Sequence, residues 1–197
     1  MKGNLGLSGK LGCQRVRAPR PGLRWKLGNW RAILPGLLRW YVSKMTGAFS
    51  ALGTLHAVLI KGNGERVNYG LVSTKLVTTA FVEYVVDQLT AEDSAFGDFK
   101  FHDSGIGVTG AAIGDTDIET TDGESRVTGD QGEGASGEIY KSIGTITYST
   151  TKAITEHGLF NIVTGGIMMD HHVFSAINVV DTDSIQFTFE LTCAAGG

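Results

Sequence analysis

Between Ser184 and Cys193 the chain alternates without a break. Ile185, Phe187, Phe189, Leu191 and Cys193 fall on one side, and Ser184, Gln186, Thr188, Glu190 and Thr192 on the other. A period of two, rich in β-branched and aromatic residues, predicts a strand with one wet face. The block that begins at Ala153 reads as two more strands before it. Thr164-Gly165-Gly166 supplies positive φ at the first turn, and Asp181-Thr182-Asp183-Ser184 supplies side-chain oxygens at the second. The expectation is an antiparallel meander.

Upstream, Leu55, Ala57 and Leu59 alternate with His56, Val58 and Ile60, and Lys61-Gly62-Asn63-Gly64 turns the chain into a return strand over 65–71. From Thr78 to Leu89 the period changes: Val77, Phe81, Tyr84, Val85 and Leu89 recur at helical spacing, with Thr78 or Thr79 as N-cap. Strand character resumes over 96–101 and 139–148, with a Gly-rich, linker-like run over 126–137 between them. These elements predict a mainly β fold, an antiparallel β-sandwich or jelly-roll-like domain from about Leu52 to Ala195. One α-helix, residues 78–89, packs across it. Its expected core is Val77, Phe81, Val85, Leu89, Ile146, Tyr148, Leu159, Phe160, Val173, Ile177, Phe187, Phe189 and Leu191.

Charge divides the chain. Residues 1–44 hold ten Lys and Arg and no Asp or Glu, with every Pro and every Trp, whereas residues 45–197 hold seven basic and twenty acidic residues. The first piece therefore reads as a basic leader, disordered or outside the fold, and 45–197 as the domain. Pro35 and Gly36 break a helical reading of 30–42. The alternatives for the leader are a basic arm for nucleic acid, an amphipathic membrane-surface segment, or a chain start set upstream of Met45. On this reading a chain beginning at Met45 folds unchanged. The acidic domain lacks the basic footprint that phosphate binding needs, so nucleic acid is not its expected partner. Cys13 and Cys193 lie in different segments, which indicates no disulfide framework. No stretch approaches the ~20 apolar residues of a membrane span.

Several constellations carry chemistry in their residue types. Gly105-Ile106-Gly107-Val108-Thr109-Gly110 matches the dinucleotide fingerprint, with Glu124 near the acidic position, but the residues that follow lack the helix on which a pyrophosphate would sit. The glycine-rich loop is the expectation. His102, Asp103 and Ser104 are triad residue types, yet consecutive side chains diverge and cannot bond in series. The acidic run 115–130 would suit Ca²⁺ oxygen ligands but lacks calcium-loop spacing. Glu156-His157 with Asp170-His171-His172 could supply a metal, although adjacent histidines on a strand face opposite ways and at most one could join His157. Strand-end polar groups facing solvent or a neighbouring subunit are the expectation. No catalytic, cofactor-binding or metal-binding residue is assigned, and no cofactor is expected.

Four pieces, in order, carry a family resemblance: VSTKLVTTA (72–80), FHDSGIGVTGAAIGDTDIET (101–120), AITEHGLF (153–160), and DHHVFSAINV followed by DSIQFTFELT (170–192). Together they resemble a family of small β-rich virion structural proteins of tailed bacteriophages. A TE-x-GLF strand also occurs in some tail-fibre proteins. The family pattern has an Asp-Arg pair where this chain has Asp170-His171-His172, and nothing in 1–44 matches. The resemblance implies a non-enzymatic capsid decoration (cement) protein on the outside of the shell. Its partner would be the major capsid protein and its location the virion, after synthesis in the bacterial host cytoplasm. A tail or tail-fibre component and a receptor- or glycan-binding module are the alternatives. Multivalent attachment to a symmetric shell makes a homotrimer the expected state, with 105–137 touching neighbours or capsid. No membrane is involved on this reading.

Overall fold

The strand with the cleanest alternation is the centre of the molecule. In the computed structural model, which describes residues 21–45, 50–89 and 99–194, β9 (Ser184–Ala194) pairs on one side with β1 (Ser50–Ile60) and on the other with β6 (Ile139–Thr147). The hairpin partner β2 (Arg66–Leu76) and the short β5 (Asp130–Glu133) complete a five-stranded antiparallel sheet in the order β2-β1-β9-β6-β5. The second sheet runs β4-β3-β7-β8, built from β3 (Phe101–Gly105), β4 (Val127–Thr128), β7 (Lys152–Phe160) and β8 (Met168–Val179). Ile185, Phe187 and Phe189 are fully buried between the sheets, against Leu55, Ile146, Ile154 and Ile177. The molecule is an antiparallel β-sandwich with packed helices.

Turn chemistry holds the ends. Gly165 and Gly166 adopt positive φ, 67° and 79°, between β7 and β8. Asp183 caps its own turn through Val180 N–H at 3.1 Å, and also accepts from Gly62 N at 2.9 Å and Lys61 Nζ at 2.7 Å. One carboxylate thus ties the β8–β9 turn to the β1–β2 turn. Helix α2 (Thr79–Leu89) starts where its cap predicts, with Phe81 N–H donating to Thr78 Oγ1 at 3.2 Å. Phe81 and Tyr84 meet the edge of Phe99, at 5.2 and 5.0 Å between ring centroids.

Of the expected core, Phe81, Ile146, Tyr148, Leu159, Phe160, Ile177, Phe187, Phe189 and Leu191 are buried. Val77 and Val85 pack against the core from partly buried positions, and the Leu89 side chain lies outside the described residues. Two residues depart from the expectation. Val173 is only half-buried, and Phe160 does not join the main cluster; its ring lies under the Arg126 guanidinium, 3.3 Å from its centroid.

The leader departs further. Residues 1–20 are outside the described residues, but Leu23–Met45 forms helix α1, which continues across Pro35. It lies over the seam where β2 and β8, the edge strands of the two sheets, come together. Trp25 Nε1 donates to the carbonyls of Ser175 and Ala176 at 3.1 and 3.2 Å. Buried Asn29 donates to Val72 O at 2.5 Å and accepts from Ser175 N at 3.0 Å. Edge groups that would otherwise stay open are thereby closed. Proline removes a backbone bond at a cost of about 3 kcal/mol, but Gly36 brings the helix so close that a Cβ there would stand 2.4 Å from Thr74 O. Thr74 Oγ1 donates to Ile33 O at 2.5 Å. Tertiary contact overrides the local breaker, and the helix belongs to the fold.

Candidate functional site

A register shift between Ile154 and Glu156 reverses the alternation of β7. Ile154 and His157 both point into the sandwich, which leaves Glu156 on the outer face of the second sheet. The Gly-rich segment 105–124 folds over that face and is held by this one carboxylate. Glu156 Oε1 accepts from Gly107 N at 2.7 Å and Thr120 N at 2.9 Å, and Oε2 from Glu119 N at 3.0 Å. The glycines explain the approach: a Cβ on Gly105 or Gly107 would stand 2.4 or 2.5 Å from Glu156 Oε1. Within the fingerprint, the backbone N–H of Gly107 meets a carboxylate that is the chain's own Glu156. No helix follows the motif, so the expected glycine-rich loop is what forms. Glu124 instead accepts from Ser149 N and Oγ and from Lys152 Nζ at 3.0, 2.8 and 2.5 Å. The Lys152 bond and the Ser149 N–H are what hold its carboxyl down at about 2.

His171 stands beside the clamp. Its Nε2 is 3.0 Å from Glu156 Oε2 and its Nδ1 is 2.7 Å from Asp115 Oδ2. Both ring nitrogens are thus engaged by carboxylate oxygens, one from β7 and one from the loop. Arg126 fastens the far end of the loop. It donates to Asp103 at 2.8 Å, Asp117 at 3.2 Å and the Gly165 carbonyl at 2.6 Å while stacking on Phe160. The Gly-rich segment is therefore bonded down within the chain itself. Between this loop and α1 opens a cleft of about 350 Å³, lined by Pro35, Gly36, Lys75, Ala112, Ile113 and His171.

The inner face carries a second polar group. His102 Nδ1 lies 3.0 Å from His157 Nε2, and His102 Nε2 lies 2.8 Å from Ser142 Oγ, all fully buried. His157 Nδ1 has no partner. A bare ring nitrogen is cheaper to bury than an unbonded N–H, which assigns the protons. His157 Nε2–H donates to His102, and His102 Nε2–H donates to Ser142. Burial pushes His102 down to about 3. Burial first, then the neighbouring imidazoles, push His157 well below its ordinary value. Both rings are neutral at pH 7. His172 Nε2 is 2.6 Å from Asp170 Oδ1 but off the line of a hydrogen bond, so neither atom has a hydrogen-bond partner. Space for these groups comes from glycines opposite them. A Cβ on Gly53 would stand 2.1 Å from Asp170 Oδ2, and one on Gly144 2.5 Å from His102 Cδ2. Ser142 and His102 are nucleophile and base by type, yet both sit at zero exposure in the core.

The structure separates what the sequence placed side by side. His102, Asp103 and Ser104 bond to three different groups, since Asp103 meets Arg126 and Ser104 Oγ donates to Asp122 at 2.5 Å. His157 is directly opposite His172, while His171 lies on the other face with Glu156. The expectation that these strand residues face solvent or a neighbour is corrected. Glu156, His157, Asp170 and His172 are fully buried, and His171 nearly so. The loop covers one face and the opposite sheet the other. Among the described residues no group of His, Cys, Asp and Glu is arranged to hold a metal. Sequence reasoning missed Arg126, and it offered Glu156 only as a possible metal ligand, not as the anchor of the loop. The signal for Arg126 was its isolation, the one basic residue between Lys100 and Lys141 in an acidic stretch. Nothing local marks Glu156, because its direction depends on the register shift.

No protein-family model, curated protein or solved structure matches the chain.

Proposed function

We propose that the chain is a non-enzymatic structural protein of a tailed-phage virion, a capsid decoration protein that binds the outside of the shell. The observation that carries this reading is the clamped loop. A 20-residue surface segment is fixed by one buried carboxylate and one stacked arginine, and it presents Val108 and Ile113, 76 % and 57 % exposed, beside Asp115, Asp117 and Glu119. A loop ordered before contact loses little conformational entropy on docking, which favours binding a rigid lattice. Repetition over a symmetric shell then turns a modest single contact into firm attachment. The four sequence pieces that resemble phage virion proteins support the same reading, and two of them, 101–120 and 153–160, build the clamp.

A tail or tail-fibre component is the second reading, favoured by the string Thr155-Glu156-His157-Gly158-Leu159-Phe160 in β7. Sedimentation of the purified full chain with purified shells that lack it separates the two. Saturable binding at a fixed ratio to the shell subunit is expected. Binding to isolated tails and not to shells moves the assignment to the tail, and binding to neither removes the virion reading.

A further inference from the structure

Helix α1 has two apolar sides, and the fold uses one. Trp25, Asn29, Ile33 and Gly36 face β2 and β8. On the opposite side Trp30, Leu34, Leu38 and Tyr41 are 50 %, 54 %, 67 % and 62 % exposed. Their spacing of four, four and three residues keeps them in one stripe. At 1.5 Å per residue it runs about 17 Å along the helix. Scattered surface leucines need no explanation, but an uninterrupted stripe of this kind marks an interaction surface.

Charge indicates what covers it. Residues 21–45 carry five basic residues, Arg24, Lys26, Arg31, Arg39 and Lys44, and no acidic one. Packing α1 on α1 of another copy would set like charges together. The complementary surface is on the same chain. Segment 105–125 carries five carboxylates and no Lys or Arg, and holds exposed Val108 and Ile113 beside Asp115, Asp117 and Glu119. Within one chain the loop reaches only the flank of α1, where Ala112 and Ile113 line the cleft with Pro35 and Gly36; the stripe itself stays open.

We propose that the outward stripe of α1 is the docking surface for a second copy of this chain, and that the acidic loop 105–124 of that copy seats on it. Apolar side chains meet at the centre, and basic and acidic groups meet around them. Two unlike surfaces in contact form a reciprocal pair or a closed ring, according to the rotation between copies. The inference stands without the virion reading and competes with it for one surface, because a loop seated on a second copy buries the Val108 and Ile113 that the virion reading turns to the shell.

The test uses the full chain and two variants whose changes lie on exposed side chains, so their melting temperatures should match the parent's. One is L34E/L38E on the helix and the other is V108K/I113K on the loop. In sedimentation velocity at tens of micromolar, the parent is expected to associate. Each variant alone should associate at least tenfold more weakly. An equimolar mixture of the two should recover a one-to-one complex, because each supplies the surface that the other lacks. A monomeric parent overturns the proposal. So do variants that associate like the parent, and a mixture that recovers nothing, which would mean like surfaces pair with like. A monomer recruited through Leu34 and Leu38 to vesicles of anionic phospholipid would replace the second copy with a lipid surface. Should either pair of changes lower the melting temperature, L38K and V108K alone make the same mixing test.

Discussion

Replacing Glu156 by glutamine keeps the shape of the clamp and removes half of its chemistry. In the native chain Oε1 accepts from the N–H groups of Gly107 and Thr120 and Oε2 accepts from that of Glu119, with His171 Nε2 on the same oxygen. The amide oxygen of glutamine can retain the first two bonds. Its NH₂ then points at the Glu119 N–H, donor against donor. One charge-assisted bond is lost and a part-buried N–H is left without its acceptor, together about 2–4 kcal/mol. Because the damage is confined to the loop, it should appear as easier local opening with a smaller fall in global stability. Hydrogen exchange reads this directly. Protection of the Gly107, Glu119 and Thr120 amides should fall by roughly 30- to 1000-fold, the same free energy at about 1.4 kcal/mol per decade. Amides of β9 should change far less. Protection at those three positions that stays within about threefold of the parent would show that Glu156 does not hold the loop.

Other outcomes follow from the core and from α1. Phe189→Ala, at a fully buried position on the central strand, should cost about 3–5 kcal/mol in denaturant unfolding; a loss under 1 kcal/mol would place β9 off centre. Gly144→Ala puts a methyl where His102 Cδ2 would be 2.5 Å away, so it should destabilise by about 1–3 kcal/mol, and a neutral result would contradict the packing described. His102 is held at about 3 against an ordinary 6.5, so below pH 6.5 the unfolded chain binds a proton that the folded chain refuses. Stability from this group is full above pH 6.5 and declines as pH falls toward 3, by up to about 3 kcal/mol at pH 4.5. Urea midpoints that are flat or rising between pH 7 and 4.5 would refute it. A chain beginning at Met45 loses the Trp25 and Asn29 bonds to β2 and β8. It should melt more than about 5 °C lower or aggregate through the opened seam; an unchanged melting temperature would show that α1 is dispensable.

The parts of this fold that were legible share one property: a single face decides the residue pattern. β9 reads cleanly because Ile185, Phe187 and Phe189 face the core while Gln186, Thr188 and Glu190 do not. In β7 every residue from Ile154 to Phe160 is buried, one face by the opposite sheet and the other by the loop, so alternation carries no direction. The register shift then turns Glu156 outward, and no local rule announces it. The residue types of the site were therefore visible in the sequence, while their partition into Glu156–His171 outside and His102–His157 inside was not. Helix α1 failed for the opposite reason. Pro35 and Gly36 are true local breakers, overridden where Ile33 meets Thr74 and Asn29 meets Val72 and Ser175, pairs 41, 43 and 146 residues apart in sequence. The Gly-rich motif was read correctly as a loop, and the carboxylate its Gly107 N–H meets lies within the chain.

The most direct test of the virion assignment is the chain's place in an intact particle. On the proposed reading a tailed phage encodes the chain; its particles would be separated into heads and tails, and the chain quantified in each fraction by mass spectrometry. The account predicts many copies on heads, in fixed proportion to the major capsid protein, and none on tails. Heads that lack the chain beside tails that contain it would contradict capsid decoration, and absence from both fractions would contradict a virion role altogether.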